Sequence, residues 1–296
     1  MPMTNSSSLL KLTNLVTQKH FERVPDDIAF CSNIFMIFGL PGHKLKDNPV
    51  FWTKKSNSYE FTITRNKEYE VPSGCYARMN QIFIDTEVRI KNTNVIDVGR
   101  SFREYTHKLG YNSGGANKEL IKQLVNYVTC SVELNITDTN PNRIAGVQTM
   151  IAEAWDFFFD VPNPEQLTMA KGKIILSEKY AKYIHNHSVP LDMNIVRCFK
   201  RNPLALDFYS FLAYRNNELN KAISFPDHFL FEQLGVGHDV CKVTRSRLKT
   251  ILRFIQSYWP VQAKFEDGYF ELQPSAPAVQ AKIPSKNPIA ITNNIG

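Results

Sequence analysis

The chain has 296 residues, and with 43% hydrophobic and 12% aromatic residues its composition excludes a disordered protein and allows about two domains of ordinary size. Lys and Arg (35) outnumber Asp and Glu (28), so the formal charge is +7 and favours a polyanionic partner such as nucleic acid. The five cysteines form no CxxC pair, and the longest apolar run, residues 28–40, is too short to cross a bilayer, so we expect free thiols, a cytoplasmic location and no membrane partner.

The first half of the chain predicts three helices and then a ribbon of strands. Residues 1–30 are polar and rich in Ser, Asn and Thr, so we predict a flexible N-terminal segment there. Apolar residues at helical spacing predict a helix over residues 76–90, followed by the extended run VIDVGR. Ser101 can cap the next helix because Glu104 stands three residues later. A third helix, apolar on one face, leads into the strand-like runs SVELNI and QTMIAEAWDFFFDV, which flank the turn PNRIAG.

The second half repeats this order of elements. The predicted elements are the strand KIIL, a helix from Ser177, a helix from Asn194 through Tyr214, the short helix FLFEQLGV, a long helix from Thr244 to Tyr258 and a two-stranded ribbon. The ribbon turns at Asp267-Gly268, and Asp-Gly between alternating residues is a strong signal for a β-hairpin.

Helix, turn, helix and two-stranded ribbon is the order of a winged helix-turn-helix, and it occurs twice. Two prolines in VPNPEQ predict a linker near residue 165. We therefore predict an α+β protein with two tandem winged helix-turn-helix domains, over residues 31–165 and 166–274. Residues 275–296 mix Pro, Ala, Lys and Asn without periodicity, and we predict a disordered tail there.

The long helix of the second half carries the main candidates for DNA contact. Between Cys241 and Trp259 the chain has five basic residues and no acidic one. At about 100° per residue the apolar positions share one arc and the basic ones a neighbouring arc. A recognition helix in the major groove has this pattern, and so does a solvated amphipathic face. The predicted DNA-binding residues are Lys242, Arg245, Arg247, Lys249 and Arg253, the two central arginines near base edges and the last two residues on phosphate.

A second candidate for DNA contact lies in the first half. The loop before its third helix contains two glycines, which allow a phosphate to approach the main chain closely. The residues predicted to contact DNA are Gly114, Gly115, Asn117, Lys118 and Lys122. The alternative is a simple turn, because Glu119 lies in the same helical turn and Gly-Gly is common in turns.

The sequence motifs of several enzyme classes are missing. The chain has no GxxxxGK[ST], GxSxG or HExxH motif, so we expect no catalytic residues, no metal site and no cofactor. His185-Asn186-His187, near Tyr180 and Tyr183, is similar to the histidine pair and tyrosine of nicking initiators. Two histidines at i and i+2 share a face only on a strand. Here they follow a helical stretch, which favours an ordinary polar helix end.

Two long stretches resemble the plasmid-encoded RepA replication initiators. The run HSVPLDMNIVRCFKRNPLALDFYSFLAYR, residues 187–215, resembles the family's "VP-D" element and its "SPLALDLYAWLTYR" signature. The run VPSGCYARMNQIFIDTEVRIKNTNVIDVGRSFREYTHKLGYNSGG, residues 71–115, parallels the family's first-half pattern. The matching residues include Arg78, Thr86, Glu87, Arg89, Gly99, Arg100, Val189, Pro190, Asp192, Pro203, Leu204, Asp207, Tyr209 and Arg215.

The resemblance implies a function at a plasmid origin. It implies binding to repeated double-stranded DNA sites, opening of the origin, and recruitment of the host initiator and replicative helicase, with a homodimer possible at the protein's own operator. A winged-helix transcriptional repressor would share every basic residue named above and lack only the origin activity. A nicking enzyme would instead require a metal-binding histidine pair and an exposed tyrosine.

Overall fold

A computed structural model describes residues 28–56, 59–99, 102–111, 116–136, 145–160, 168–236 and 241–279. The strands are β1 (Ile28–Ser32), β2 (Phe51–Ser56), β3 (Tyr59–Thr64), β4 (Val95–Gly99), β5 (Ser131–Ile136), β6 (Ala145–Met150), β7 (Ala152–Asp160), β8 (Thr168–Leu176), β9 (Ser188–Asp192), β10 (Ile223–Pro226), β11 (Ala263–Glu266) and β12 (Tyr269–Leu272). The helices are α1 (Asn33–Phe38), α2 (Gly74–Lys91), α3 (Phe102–Lys108), α4 (Ala116–Val128), α5 (Glu178–His187), α6 (Met193–Phe199), α7 (Pro203–Glu218), α8 (Asp227–Gln233) and α9 (Cys241–Gln256).

Helix α2 lies at the centre of the molecule. Most of its residues are buried, including several polar ones, because it touches β1, α4, α5 and α7 on different sides. A helix that is covered all round belongs to a core and not to a surface layer. It ends at Asn92, which adopts the left-handed conformation with φ 52° and donates its N–H to the carbonyl of Val88. The helix predicted over residues 76–90 is thereby confirmed.

The strands of the described ranges form four antiparallel sheets. Their orders are β1-β9, β2-β3-β5-β6, β4-β8-β7 and β10-β12-β11. The run QTMIAEAWDFFFDV, predicted as one strand, forms two, because the buried Ile151 separates β6, which pairs with β5, from β7, which pairs with β8. The predicted hairpin at Asp267-Gly268 is confirmed: both residues have positive φ (46° and 85°), as the type I′ hairpin turn requires.

The two halves share one order of elements and of strands. In the first half the order is α2, β4, α3, α4, β7, β8, with β5 and β6 inserted before β7, and the sheet order is β4-β8-β7. In the second half it is α7, β10, α8, α9, β11, β12, with the sheet order β10-β12-β11. The fold is therefore α+β, as predicted, and the repeat extends from the elements to their spatial arrangement.

The helix predicted from Asn194 through Tyr214 is wrong in one respect, because the chain forms α6 and α7 there. Pro203 occupies the first turn of α7, where its missing N–H would have no partner in the helix anyway. Asn202 caps this helix, since its Oδ1 accepts a hydrogen bond from the N–H of Ala205 at 3.1 Å. The predicted helix start at Ser177 is confirmed, because its hydroxyl accepts from the N–H of Tyr180.

Ordered structure extends past the predicted boundaries at both ends. Ala29 and Phe30, placed in the flexible segment on sequence grounds, are buried in β1. Ser275, the first residue of the predicted tail, donates its N–H to Asn216 Oδ1 of α7 at 2.9 Å. The predicted linker near residue 165 falls in residues 161–167, outside the described ranges, and β1 pairs with β9 across it. One continuous core of buried side chains runs through both halves. Within the described ranges, no helix has the length and apolarity needed to span a membrane.

Candidate nucleic-acid interface

Helix α9 is amphipathic and sits on the core of the second half. Leu248, Ile251, Leu252 and Ile255 are buried on its inner side. Phe254 lies 5.2 Å, between ring centroids, from Phe199 of α6. These contacts hold one side of the helix to the protein and leave the other side in solvent, as the sequence predicts.

The outward face of α9 is positively charged. We define it as the exposed residues of the helix that follow one another at helical spacing: Lys242, Val243, Ser246, Arg247, Thr250 and Arg253. It carries three cations, and α9 contains no carboxylate residue. Lys249 is half-buried at the border of this face. Four of the five basic residues predicted on this helix thus lie on or beside one surface.

Arg245 is placed differently from the other four. Its guanidinium Nε donates to Asp227 Oδ2, and this ion pair connects α9 to the first residue of α8. The side chain of Asp227 is only 7% exposed, and its backbone N–H donates to the carbonyl of Gly268 in the β11–β12 turn at 2.9 Å. Arg245 therefore joins helix to helix. The sequence gives no local signal for this contact, because Asp227 lies 18 residues away from Arg245.

Two further side chains, Lys54 and Gln256, fix the position of the α8–α9 pair. Lys54 of β2 donates to the carbonyl oxygens of Phe38 and Gln233 at 2.7 and 2.6 Å, so it bridges the first half and the last residue of α8. Burial lowers the pKa of Lys54 to about 8. At the other end, Gln256 Nε2 donates to the carbonyls of Val261 and Ala263, at 3.1 and 2.9 Å, and joins α9 to β11.

The first-half candidate is less well formed. Lys118 is exposed in the first turn of α4. Lys122, one turn later, lies 3.0 Å from Glu70 Oε2, and Lys44 lies 2.7 Å from the other oxygen of the same carboxylate. The charge of Lys122 is therefore partly neutralised within the protein. Gly114 and Gly115 lie outside the described residues, as does the side chain of Asn117.

The histidine pair lies on a helix, as the sequence favours. His185 and His187 both belong to α5, where residues two apart point about 200° from each other. His185 is buried and His187 is exposed, with its ring 4.8 Å from that of Tyr183. Tyr180 is buried, its hydroxyl lies 2.5 Å from that of Tyr127, and burial raises the pKa of Tyr180 well above its usual value. Across the described part of the chain, His, Cys, Asp and Glu form no group of three that could hold a metal ion.

Comparison with known proteins gives a family and a fold. Two solved structures of domains 2 and 3 of RctB, one of them a selenomethionine derivative, have the same fold at a TM-score of 0.54 and 8% sequence identity. The match covers 84% of this chain and 97% of the selenomethionine chain, and 80% and 95% for the other structure. No curated protein matches the chain. The family model for plasmid-encoded RepA protein matches residues 71–229, more than half of the 296 residues. The chain therefore belongs to the family of plasmid-encoded RepA proteins, as the two stretches of resemblance predict.

Proposed function

We propose that this protein initiates plasmid replication by binding repeated double-stranded DNA sites at the plasmid origin. Membership of the RepA family supports the role in plasmid replication. The observation that carries the DNA contact is the outward face of α9, with its three cations and no carboxylate on the helix. A surface of this kind attracts the phosphate backbone and presents arginine to base edges.

We further propose that each half is a winged helix-turn-helix. The order α7, β10, α8, α9, β11, β12 supports this for the second half, since α8 and α9 then form the helix-turn-helix and the β11–β12 hairpin forms the wing. The same order in the first half makes α4 the corresponding helix there. In this assignment α9 enters the major groove, and α4 approaches the DNA through Lys118 and the glycine loop before it.

The residues of α9 take different roles in the proposal. Arg247 is the base reader, because its fork can bond both acceptors of a guanine. Lys242, Lys249 and Arg253 contact phosphate and supply affinity without sequence preference. Arg245 is a positioning residue that holds α9 against α8 through Asp227. This revises the sequence-based prediction, in which Arg245 shared the base contacts.

The proposal includes the later steps of initiation. The bound protein opens the origin, recruits the host initiator and replicative helicase in the cytoplasm, and represses its own promoter, there as a dimer. It performs these steps as a binding protein, without cutting DNA. Origin DNA incubated with the protein and Mg²⁺ or Mn²⁺ should therefore stay uncut, and metal-dependent nicking would contradict this part of the proposal.

Replication of a minimal plasmid tests the function. A vector that carries a selectable marker receives this gene and its flanking DNA. The plasmid is then introduced into a host in which the vector's own origin does not work. We expect stable replication with the wild-type gene and none with Arg247→Ala, whereas Lys182→Ala, which removes an exposed lysine from α5, should replicate normally. A protein that binds the flanking DNA but does not support replication would be a transcriptional repressor.

A further inference from the structure

The outward face of α9 contains one residue that does not fit a simple phosphate-binding surface. Val243, in the first turn, is 51% exposed. The other outward-face residues, as defined above, are polar or charged, so Val243 is the only apolar member of that set. Single exposed apolar residues are common on proteins, so exposure alone does not give Val243 a function, and its position on the helix is the distinguishing feature.

The first two turns of α9 offer few other groups to a ligand. Thr244 is buried, and Arg245 is held by Asp227. Of the described side chains in these turns, the exposed ones belong to Lys242, Val243, Ser246 and Arg247. A recognition helix usually directs its N-terminal residues to the base edges. Val243 thus occupies the position where a side chain reads sequence.

We propose that Val243 contacts the C5-methyl group of a thymine in the major groove, while Arg247 binds a guanine close by. This inference rests on the proposed function. The thymine methyl is the apolar group that a base pair presents in the major groove, and it is recognised by apolar side chains. The β-branched side chain of valine has few rotamers, so contact orders little that is not already ordered.

The spacing of the two residues defines the recognised element. Val243 and Arg247 are four residues apart on one face, which corresponds to about 6 Å along the helix. Base pairs are about 3.4 Å apart along the duplex. The proposed site therefore contains a thymine and a guanine within about two base pairs of each other. Because the valine side chain is short, the contact also requires that the first turn of α9 lie deep in the groove.

Replacing thymine by deoxyuridine tests the contact, since it removes the methyl group and leaves base pairing unchanged. The full-length wild-type chain is first used to select a binding site from random duplex DNA. Each thymine of that site is then replaced by deoxyuridine, one at a time, and dissociation constants are measured. We expect one replacement to weaken wild-type binding about fourfold, the effect of removing one buried methyl contact. The Val243→Ala protein should bind the selected site and the site with that one deoxyuridine equally well, within twofold.

Two further variants serve as references. Val50→Ala removes the same atoms from an exposed valine before β2 and should keep the fourfold response. Val243→Thr keeps one methyl group on a side chain of the same shape, so its binding should still be weakened by the deoxyuridine replacement, by most of the fourfold factor. A selected site without thymine, or a Val243→Ala protein that still senses the same methyl group, would overturn the proposal. If the wild type selects no sequence at all, the proposed function fails as well, so the two failures are distinguishable.

Discussion

Arg245 and Arg247 lie two residues apart on α9, yet their surroundings predict opposite effects of substitution. Arg247 is exposed, so Arg247→Ala should leave stability unchanged and cost about 1–3 kcal/mol of binding free energy on the selected site, with little change on scrambled DNA. Arg245→Ala leaves the carboxylate of Asp227 buried without this partner and should lower the free energy of unfolding by about 1–3 kcal/mol. Urea denaturation and binding isotherms on both DNAs measure the two effects. Equal behaviour of the two variants would contradict the assigned roles.

Asp85 predicts a pH dependence of stability. It is buried in α2, where its Oδ2 accepts from the N–H of Ser32 at 2.6 Å and from Gln81 Nε2. Burial raises its pKa to about 7, against 3.8 in the unfolded chain. Between these values the folded protein binds a proton that the unfolded chain does not, so stability falls as pH rises through this window, by at most about 1.4 kcal/mol per pH unit.

Asp85→Asn tests this directly, because an amide oxygen can accept the same bond from Ser32 without titrating. We expect the wild type to lose more stability than the variant between pH 5 and pH 8, measured by urea denaturation at both values. The comparison cancels the contributions of other titrating groups. Parallel pH profiles for the two proteins would show that Asp85 does not titrate in this range.

At the scale of elements, an ion pair joins the central helices of the two halves. Arg78 of α2 binds Asp207 of α7 with two hydrogen bonds of 2.6 Å, from Nε to Oδ1 and from Nη2 to Oδ2. The remaining donors of Arg78 bind the carbonyls of Leu40, Pro41 and Gly74. All of its polar atoms are thus used, which is what the burial of an arginine requires.

Breaking this pair should be costly. Arg78→Ala leaves the carboxylate of Asp207 mostly buried and without its guanidinium, so we expect the free energy of unfolding to fall by about 3–5 kcal/mol. The matched control is Lys182→Ala, which breaks an exposed pair with Glu178 in α5 and should cost about 0.5 kcal/mol or less. Urea denaturation measures both. A loss below 1 kcal/mol for Arg78→Ala would mean that the packing of α2 on α7 does not depend on the pair.

Helix α9 as a whole predicts a salt dependence of DNA binding. Each phosphate contact releases counterions, so the logarithm of the binding constant falls with the logarithm of salt concentration by about 0.9 per contact. Lys249→Ala and Arg253→Ala should each lower this slope by about one unit and weaken binding to selected and scrambled DNA alike. Lys55→Ala, which removes an exposed lysine of β2 that pairs with Glu60 of β3, is the control. Unchanged slopes in both α9 variants would place the phosphate-binding surface elsewhere.

For the whole molecule, the pairing of β1 with β9 predicts that the two halves unfold together. β1 belongs to the first half of the chain but lies beside β9 of the second half. Its Phe30 is buried against α2 under the guanidinium of Arg89, which is 5.5 Å from the ring centroid. Phe30→Ala should therefore cost about 3–5 kcal/mol. Amide hydrogen exchange in α2 and in α7 measures which of the two helices loses stability in the variant. We expect both helices to lose protection from exchange, which indicates one cooperative unit. Loss of protection in α2 alone would indicate independent domains.

The sequence by itself determined those features that depend on local spacing. The basic outward face of α9 follows from a period of 3.6 residues, and the β11–β12 hairpin follows from Asp267-Gly268, because both are properties of short stretches of chain. The family could be identified from two long runs, since many matched positions add up even where no short motif is decisive. Local chemistry also explains why the helix predicted from Asn194 through Tyr214 divides into α6 and α7, because Pro203 favours a helix start. The apolar periodicity continues across Pro203 and masked this signal.

Only the tertiary structure decided which distant residues meet. The partner of Arg78 is 129 residues away in α7, and Asp227 takes Arg245 out of the set of free cations on α9. Neither contact is encoded in a local period, because both depend on how helices from separate stretches pack. The same holds for β1, whose place beside β9 makes a segment predicted to be flexible part of the shared core. Sequence indicated a basic helix, and packing determined which of its residues remain available to DNA.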